Sequence, residues 1–251
     1  MENGRVSLQI DNNIGRIIFQ HPKSNSLPST LLAKLADIIK EAGKNNDVKV
    51  IILESEGTKA FCAGASFDEL LEIEDFDTGY KFFSGFANVI NEMRKCPKFI
   101  IGRIQGKAVG GGVGLVSACD YAIAHESASI RLSEFALGIG PFVVGSAVER
   151  KIGKAAFAQF SMDIEWYDSQ WAYSRGLYAR VFDTHSEVDR AIENLAHLLA
   201  ESSLEATAEL KQMYWEGTEN WDELLPKRAK ISGKLVLSDY TKNYIRQFKK
   251  K

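Results

Sequence analysis

The sequence predicts an α/β fold: a parallel or mostly parallel sheet covered by helices, followed by a C-terminal helical region. Three observations lead there. Short apolar runs alternate with helical patterns through the first half of the chain. The run at residues 48–53 is apolar enough for a strand buried on both faces. Beyond Pro141 the pattern turns helical almost throughout.

Residues 6–10 and 16–19 read as a hairpin pair around Asn12, Asn13 and Gly15. Leu31, Leu32, Leu35, Ile38 and Ile39 then recur at helical spacing after Ser26 and Ser29, with Pro28 suited to a first turn. After the strand at 48–53 come a helix over about 80–93, a strand at 99–104, a helix opened by the glycines of 110–115, and a strand at 121–124. Such strand–helix–strand alternation makes parallel neighbours. Further on, Ser186 with Asp189 resembles a helix N-terminal capping pair, and Ala191, Leu195, Leu198 and Leu199 form an apolar stripe. Helices then cover roughly 204–215 and 219–248. The aromatics Trp215, Trp221, Tyr240, Tyr244 and Phe248 concentrate there, a composition suited to packing against a partner subunit.

The 251 residues, 45% hydrophobic and 25% charged, supply one substantial core. Lys and Arg number 31 against 33 Asp and Glu, so the net charge is -2, which gives no electrostatic case for nucleic acid or an anionic membrane. The basic end, Lys249, Lys250 and Lys251, reads as a solvated tail. No basic segment followed by an apolar core opens the chain, and no apolar run is long enough for a bilayer. Cys62, Cys96 and Cys119 form no C-x-x-C pair, and the four histidines form no H-E-x-x-H. A reducing, cytoplasmic location without a structural metal is the expectation.

Two segments differ from ordinary connections. Residues 60–70 carry Ala63-Gly64-Ala65-Ser66 after the strand at 48–53, and residues 106–115 carry Gly110-Gly111-Gly112-Val113-Gly114 after the strand at 99–104. Small residues at the ends of parallel strands let a ligand approach the backbone, where N–H groups at a helix start are unpaired and lie in a positive field. Two such N–H groups would make an oxyanion hole, one donor contributing about 3–4 kcal/mol in a transition state. Either segment alone reads better as tight strand–helix packing. Rival motifs fit less well. Gly106-Lys107-Ala108 lacks the hydroxyl of a phosphate loop, and no G-x-S-x-G occurs. A dinucleotide fingerprint on Gly110 and Gly112 meets Leu115 at its third glycine, although Glu134 stands at a tolerable distance for a ribose-binding acid.

Four stretches, in this order and spacing, resemble the crotonase superfamily in its enoyl-CoA hydratase/isomerase branch. They are residues 21–27 (His-Pro-Lys-Ser-Asn-Ser-Leu), 61–65 (Phe-Cys-Ala-Gly-Ala), 110–120 (Gly-Gly-Gly-Val-Gly-Leu through Ala118-Cys119-Asp120) and 133–141 (Ser-Glu-Phe-Ala-Leu-Gly-Ile through Pro141). The resemblance implies a ββα spiral, with residues 1–195 as the core and 196–251 as a C-terminal helical trimerisation region. It implies a homotrimer or a homohexamer acting on an acyl-CoA, with no cofactor beyond the CoA of the substrate. By the same resemblance the N–H groups of Ala65 and Gly111 form the oxyanion hole, Glu134 is the catalytic carboxylate, and Lys23, Ser24, Ala63 and Phe142 contact substrate.

This chain also departs from the pattern. Gly114 stands where the two-acid hydratases carry a second glutamate. Ser66 replaces an aspartate, and Phe142, Val143 and Val144 replace a glycine cluster. The departures imply a bulkier pocket with one acid/base group, set among Phe135, Phe142 and Val143. Such a site suits double-bond isomerisation at least as well as hydration. Decarboxylation or dehydration of a CoA or carrier-protein thioester, or acyl-CoA binding without turnover, are the alternatives. Asp68 and Glu69 are candidate replacements for the missing acid, but read better as the charged side of a short helix. His21 reads as a turn residue, Asp120 as a strand brace, and Cys62 and Cys119 as small buried hydrophobes.

Overall fold

A computed structural model describes residues 4–248, so the basic end at 249–251 and the side chain of Phe248 lie outside the described residues. The N-terminal hairpin is β1 (Arg5–Asp11) against β2 (Ile14–Gln20), antiparallel. Asn12 and Asn13 both take positive φ, 49° and 63°, as a two-residue type I′ turn demands. α1 (Ser29–Lys44) follows, with Pro28 at its cap position, one residue earlier than the sequence suggested.

From there the chain repeats one unit. A long strand enters the main sheet, a short strand leaves it for a second sheet, and helix follows. The first unit is β3 (Val50–Ser55), β4 (Ala60–Cys62), α2 (Phe67–Leu71) and α3 (Phe76–Lys95). The second is β5 (Ile100–Ile104), β6 (Lys107–Val109) and α4 (Gly111–Ala118). The third is β7 (Tyr121–His125), β8 (Ile130–Arg131), α5 (Phe142–Ile152), α6 (Lys154–Met162) and α7 (Ser169–Ser174). β9 (Arg180–Phe182), α8 (His185–Ala200), α9 (Leu204–Tyr214), α10 (Trp221–Leu235) and α11 (Asp239–Phe248) complete it. The six-stranded sheet runs β1-β2-β3-β5-β7-β9, parallel from β2 onward, and the three-stranded sheet runs β4-β6-β8. This is the expected ββα spiral.

The period of two along β3 explains why residues 50–53 read as apolar throughout. Ile51 and Leu53 enter the main core beneath α1, α3 and α4, whereas Val50 and Ile52 face the opposite side, packed with Val188, Ile192 and Ala196 of α8. α8 therefore belongs to the sheet. It runs through residue 195, where the sequence suggested a boundary. Its cap also differs from the expected Ser186–Asp189 pair. Thr184 accepts the N–H of Glu187 and donates its hydroxyl to that carboxylate, an N-cap two residues earlier. Asp189 instead pairs with Arg103, and Leu198, at 63% exposure, falls outside the apolar stripe.

The C-terminal helices fold back on this chain. α10 lies across α3 at a glycine crossing: a Cβ on Gly79 would stand 3.0 Å from the Gly233 carbonyl oxygen, and one on Gly233 would stand 2.8 Å from the Tyr80 nitrogen. Trp215 and Trp221, expected to face a partner subunit, are instead buried edge-to-face in the main core. Trp215 Nε1 and Lys211 Nζ both donate to Asp120, which also accepts the Ile100 N–H, so the strand brace read from the sequence ties α9 to β5. Lys211 and Asp120 are both buried. Lys211→Ala would strand that carboxylate and should cost about 3 kcal/mol, read as a lower midpoint in urea unfolding. A midpoint unchanged within error would contradict it.

Candidate active site

Both glycine-bearing turns leave the short sheet at one place. After β4 the chain turns at Gly64, whose φ of +89° brings it against the second turn: a Cβ there would lie 2.9 Å from the Val109 carbonyl oxygen and 3.4 Å from the Gly111 nitrogen. Ala65 bridges Leu27 in parallel register. The Leu27 N–H donates to the Gly64 carbonyl (2.8 Å) and the Ser66 N–H to the Leu27 carbonyl (3.2 Å). The pleat therefore directs the N–H of Ala65 away from Leu27, and it donates to no described residue. Gly111 opens α4, where a helix cannot pair its own N–H, and it too donates to none of them. Ala65 and Gly111 line the same cavity of about 170 Å³.

Three aromatics of α3 (Phe82, Phe83 and Phe86), Phe142, Val143 and Val144 at the start of α5, and Ser232 of α10 complete most of its wall. Glu134 is the one titratable side chain among the lining residues. It follows β8 on a turn organised by its own carbonyl, which accepts the N–H groups of Leu137 and Ile139 (both 3.1 Å) and Gly140 (3.2 Å). Its carboxyl lies over Gly110: a Cβ at that position would stand 3.0 Å from Oε1 and 3.3 Å from Cδ. Gly110 adopts φ 51° and ψ -112°, a conformation closed to residues with a side chain. The residue as a whole is half-buried, but Oε2 is shielded from solvent and has no hydrogen-bond partner among the described residues. Burial pushes the carboxyl up to about 7, because the charged form loses its hydration. The backbone N–H groups of Glu134 and Ser133 pull it partly back.

The structure brings together Glu134, Ala65, Gly111, Ala63, Phe142 and Val143 and separates Lys23, Ser24, Gly114 and Phe135 from them. Lys23 is exposed and pairs with Asp68. Ser24 lines a second, more open cavity of about 460 Å³ with His21, Asn25 and residues 56–60, joined to the first turn only through its carbonyl, which accepts the Ala63 N–H (3.1 Å). Gly114 does not line the cavity. A Cβ there would meet Val144 Cγ1 at 2.7 Å, so Val144 fills the space beside it. Phe135, expected beside Glu134, points outward at 58% exposure.

Neither candidate replacement acid reaches the cavity. Asp68 is taken by Lys23, and Glu69 accepts the Ser29 N–H and hydroxyl at the start of α1. His21 Nδ1 lies within a turn, 3.2 Å from Ser26 Oγ, and the buried thiols of Cys62 and Cys119 are both pushed up to about 12 by desolvation. Sequence reasoning missed the α3 wall and Ser232. The i, i+4 spacing of Phe82 and Phe86 marked an apolar face but not what it covers, and Ser232 carried no signal. Among the described residues no cluster of three or more His, Cys, Asp or Glu could hold a metal, and no helix is long and apolar enough to cross a membrane.

Comparison with known proteins bears on the family and the fold. A family model described as Enoyl-CoA hydratase/isomerase matches residues 9–248. A Bacillus subtilis (strain 168) protein described as a probable enoyl-CoA hydratase is 28% identical over 248 residues, 98% of this chain and 96% of its own length. The mitochondrial methylglutaconyl-CoA hydratase of Rattus norvegicus is 33% identical over 178 residues, 70% of this chain and 56% of that protein. Among solved structures, the enoyl-CoA hydratase from Bacillus halodurans shares the fold with a TM-score of 0.89 at 22% identity, covering 96% of this chain and 99% of that one.

Proposed function

The chain belongs to the enoyl-CoA hydratase/isomerase family of the crotonase superfamily and is an enzyme of that type, and from that premise we propose how its site works. The acyl-CoA thioester seats its carbonyl oxygen against the N–H groups of Ala65 and Gly111, and Glu134 moves the proton. The observation that carries this reading is the Glu134 carboxyl itself, which lies over Gly110, one residue before the Gly111 amide, with one oxygen shielded and unpartnered.

The chemistry follows from charge. Removing a proton beside a thioester carbonyl places negative charge on its oxygen, and fixed N–H donors stabilise that charge without reorganising. A carboxylate near pH 7 can both take and return a proton. One carboxylate can lift a proton from one carbon and deliver it to another, which shifts a double bond. Hydration needs a second group to hold the water, and the place of the missing acid is packed by Val144. These points favour isomerisation. Hydration remains the second reading because the full-length relative is described as a hydratase.

A panel of enoyl thioesters assayed for double-bond migration, water uptake and CO₂ release separates the outcomes. Migration is expected. Release of CO₂ would move the assignment to a decarboxylase, and turnover of no member would refute the reading. If proton removal begins the reaction, kcat falls as the pH drops below about 7, where Glu134 becomes protonated. A flat profile between pH 5 and 9 would contradict that assignment.

Fatty-acid or branched-chain acyl breakdown is the role we propose. A cytoplasmic location and a homotrimer or homohexamer, with residues 196–251 contributing to it, complete the proposal. The three buried, unpaired cysteines support the location. Light scattering at several concentrations tests the assembly, and a monomer throughout would contradict it. The reaction as written needs no cofactor, since CoA arrives as part of the substrate.

A further inference from the structure

Helix α11 packs on the outer side of the loop that carries Glu134. On the inner side of that loop, Leu137 and Ile139 line the cavity. On the outer side Thr241, fully buried, donates its hydroxyl to the Leu137 carbonyl at 2.7 Å and accepts from Ser238 Oγ at 3.1 Å. The Leu235 carbonyl also lies 3.2 Å away, but the single hydroxyl proton serves the nearer acceptor. The Tyr240 ring covers Gly138, where a Cβ would stand 2.5 Å from the ring, and Ile245 and Val236 share a buried cluster with Ile139.

We propose that Thr241 is a positioning residue: through the Leu137 carbonyl, α11 clamps the 134–140 loop and thereby keeps the Glu134 carboxyl in its shielded place over Gly110. The inference rests on the acid/base role given to Glu134 above. Removing the hydroxyl leaves the Leu137 carbonyl without this donor. The loop then relaxes toward solvent and the carboxyl regains water. Its midpoint falls toward the ordinary carboxylate range, whichever protonation state the first step uses.

Thr241→Val should lower kcat about tenfold with little change in KM, as expected for a misplaced catalytic group. The pH limb belonging to Glu134 should move to lower pH, and Thr241→Ser should restore both rate and limb. A Val variant with an unmoved limb overturns the proposal, whatever its rate, and so does a Ser variant that fails to rescue. Should Thr241→Val not yield folded protein, Tyr240→Ala removes a largely exposed ring from the same clamp and must move the limb the same way; an unmoved limb overturns the proposal. Failure of the underlying reading looks different: Glu134→Gln would then keep its turnover, and the clamp proposal would be overturned together with that reading.

Discussion

Glu134→Gln is expected to lower turnover by about 10³-fold while leaving the affinity for an acyl-CoA within about twofold of the parent. Glutamine keeps the shape of the side chain and its place over Gly110 but cannot exchange a proton. The same substitution should also stabilise the fold, in a pH-dependent way. The carboxyl is raised in the native protein from an ordinary 4.5 to about 7, so the native state binds this proton more tightly than the unfolded chain does. Its contribution to stability is complete below pH 4.5 and is lost as the pH rises through 7. Denaturant unfolding of parent and variant should therefore run parallel below pH 4.5, diverge between pH 4.5 and about 7 and keep a constant offset above, with the glutamine protein the more stable. A variant equally stable at pH 5 and pH 8 relative to its parent would mean that the carboxyl is not desolvated.

The second large effect concerns the absent acid. Gly114→Glu should destabilise the protein by about 4 kcal/mol and bring no gain in water addition. The first Cβ atom already conflicts with Val144, at 2.7 Å from Cγ1 and 2.9 Å from Cβ, with Ile90 Cδ1 at 3.5 Å. The carboxylate beyond it would be buried without a partner. Adding Val144→Gly opens the space, so the double variant should recover part of the stability and add water faster than either single variant. Thermal melts beside a hydration assay check this. A stable Gly114→Glu protein with enhanced hydration would show that the position already opens onto the cavity.

Much of the frame could be read before any coordinates. The apolar run at residues 48–53, the paired asparagines at 12 and 13, and the small residues at 63–65 and 110–112 each reflect local demands: burial on two faces, a left-handed turn, and close approach of backbone. The spiral was reached only through family resemblance. Its second sheet is built from strands of two or three residues, whose pairing of Cys62 with Ala108 and Ala108 with Ile130 depends on parts of the chain far apart. No periodicity survives in so short a run. The inward turn of Trp215 depends on a carboxylate at Asp120, 95 residues away, that no helical pattern announces. For the site, the order of the motifs singled out Glu134, Ala65 and Gly111, which the fold places around one cavity. It could not reveal that Phe135 turns outward or that Lys23 is held by Asp68, because neighbours along the chain do not fix which way a loop side chain faces.

Difference infrared spectroscopy of butanoyl-CoA labelled with ¹³C at the thioester carbonyl, bound to the protein, tests the site most directly. Two converging N–H donors should lower the carbonyl stretching frequency relative to the same thioester in water. A frequency equal to or above the value in water would mean that Ala65 and Gly111 do not meet on that oxygen.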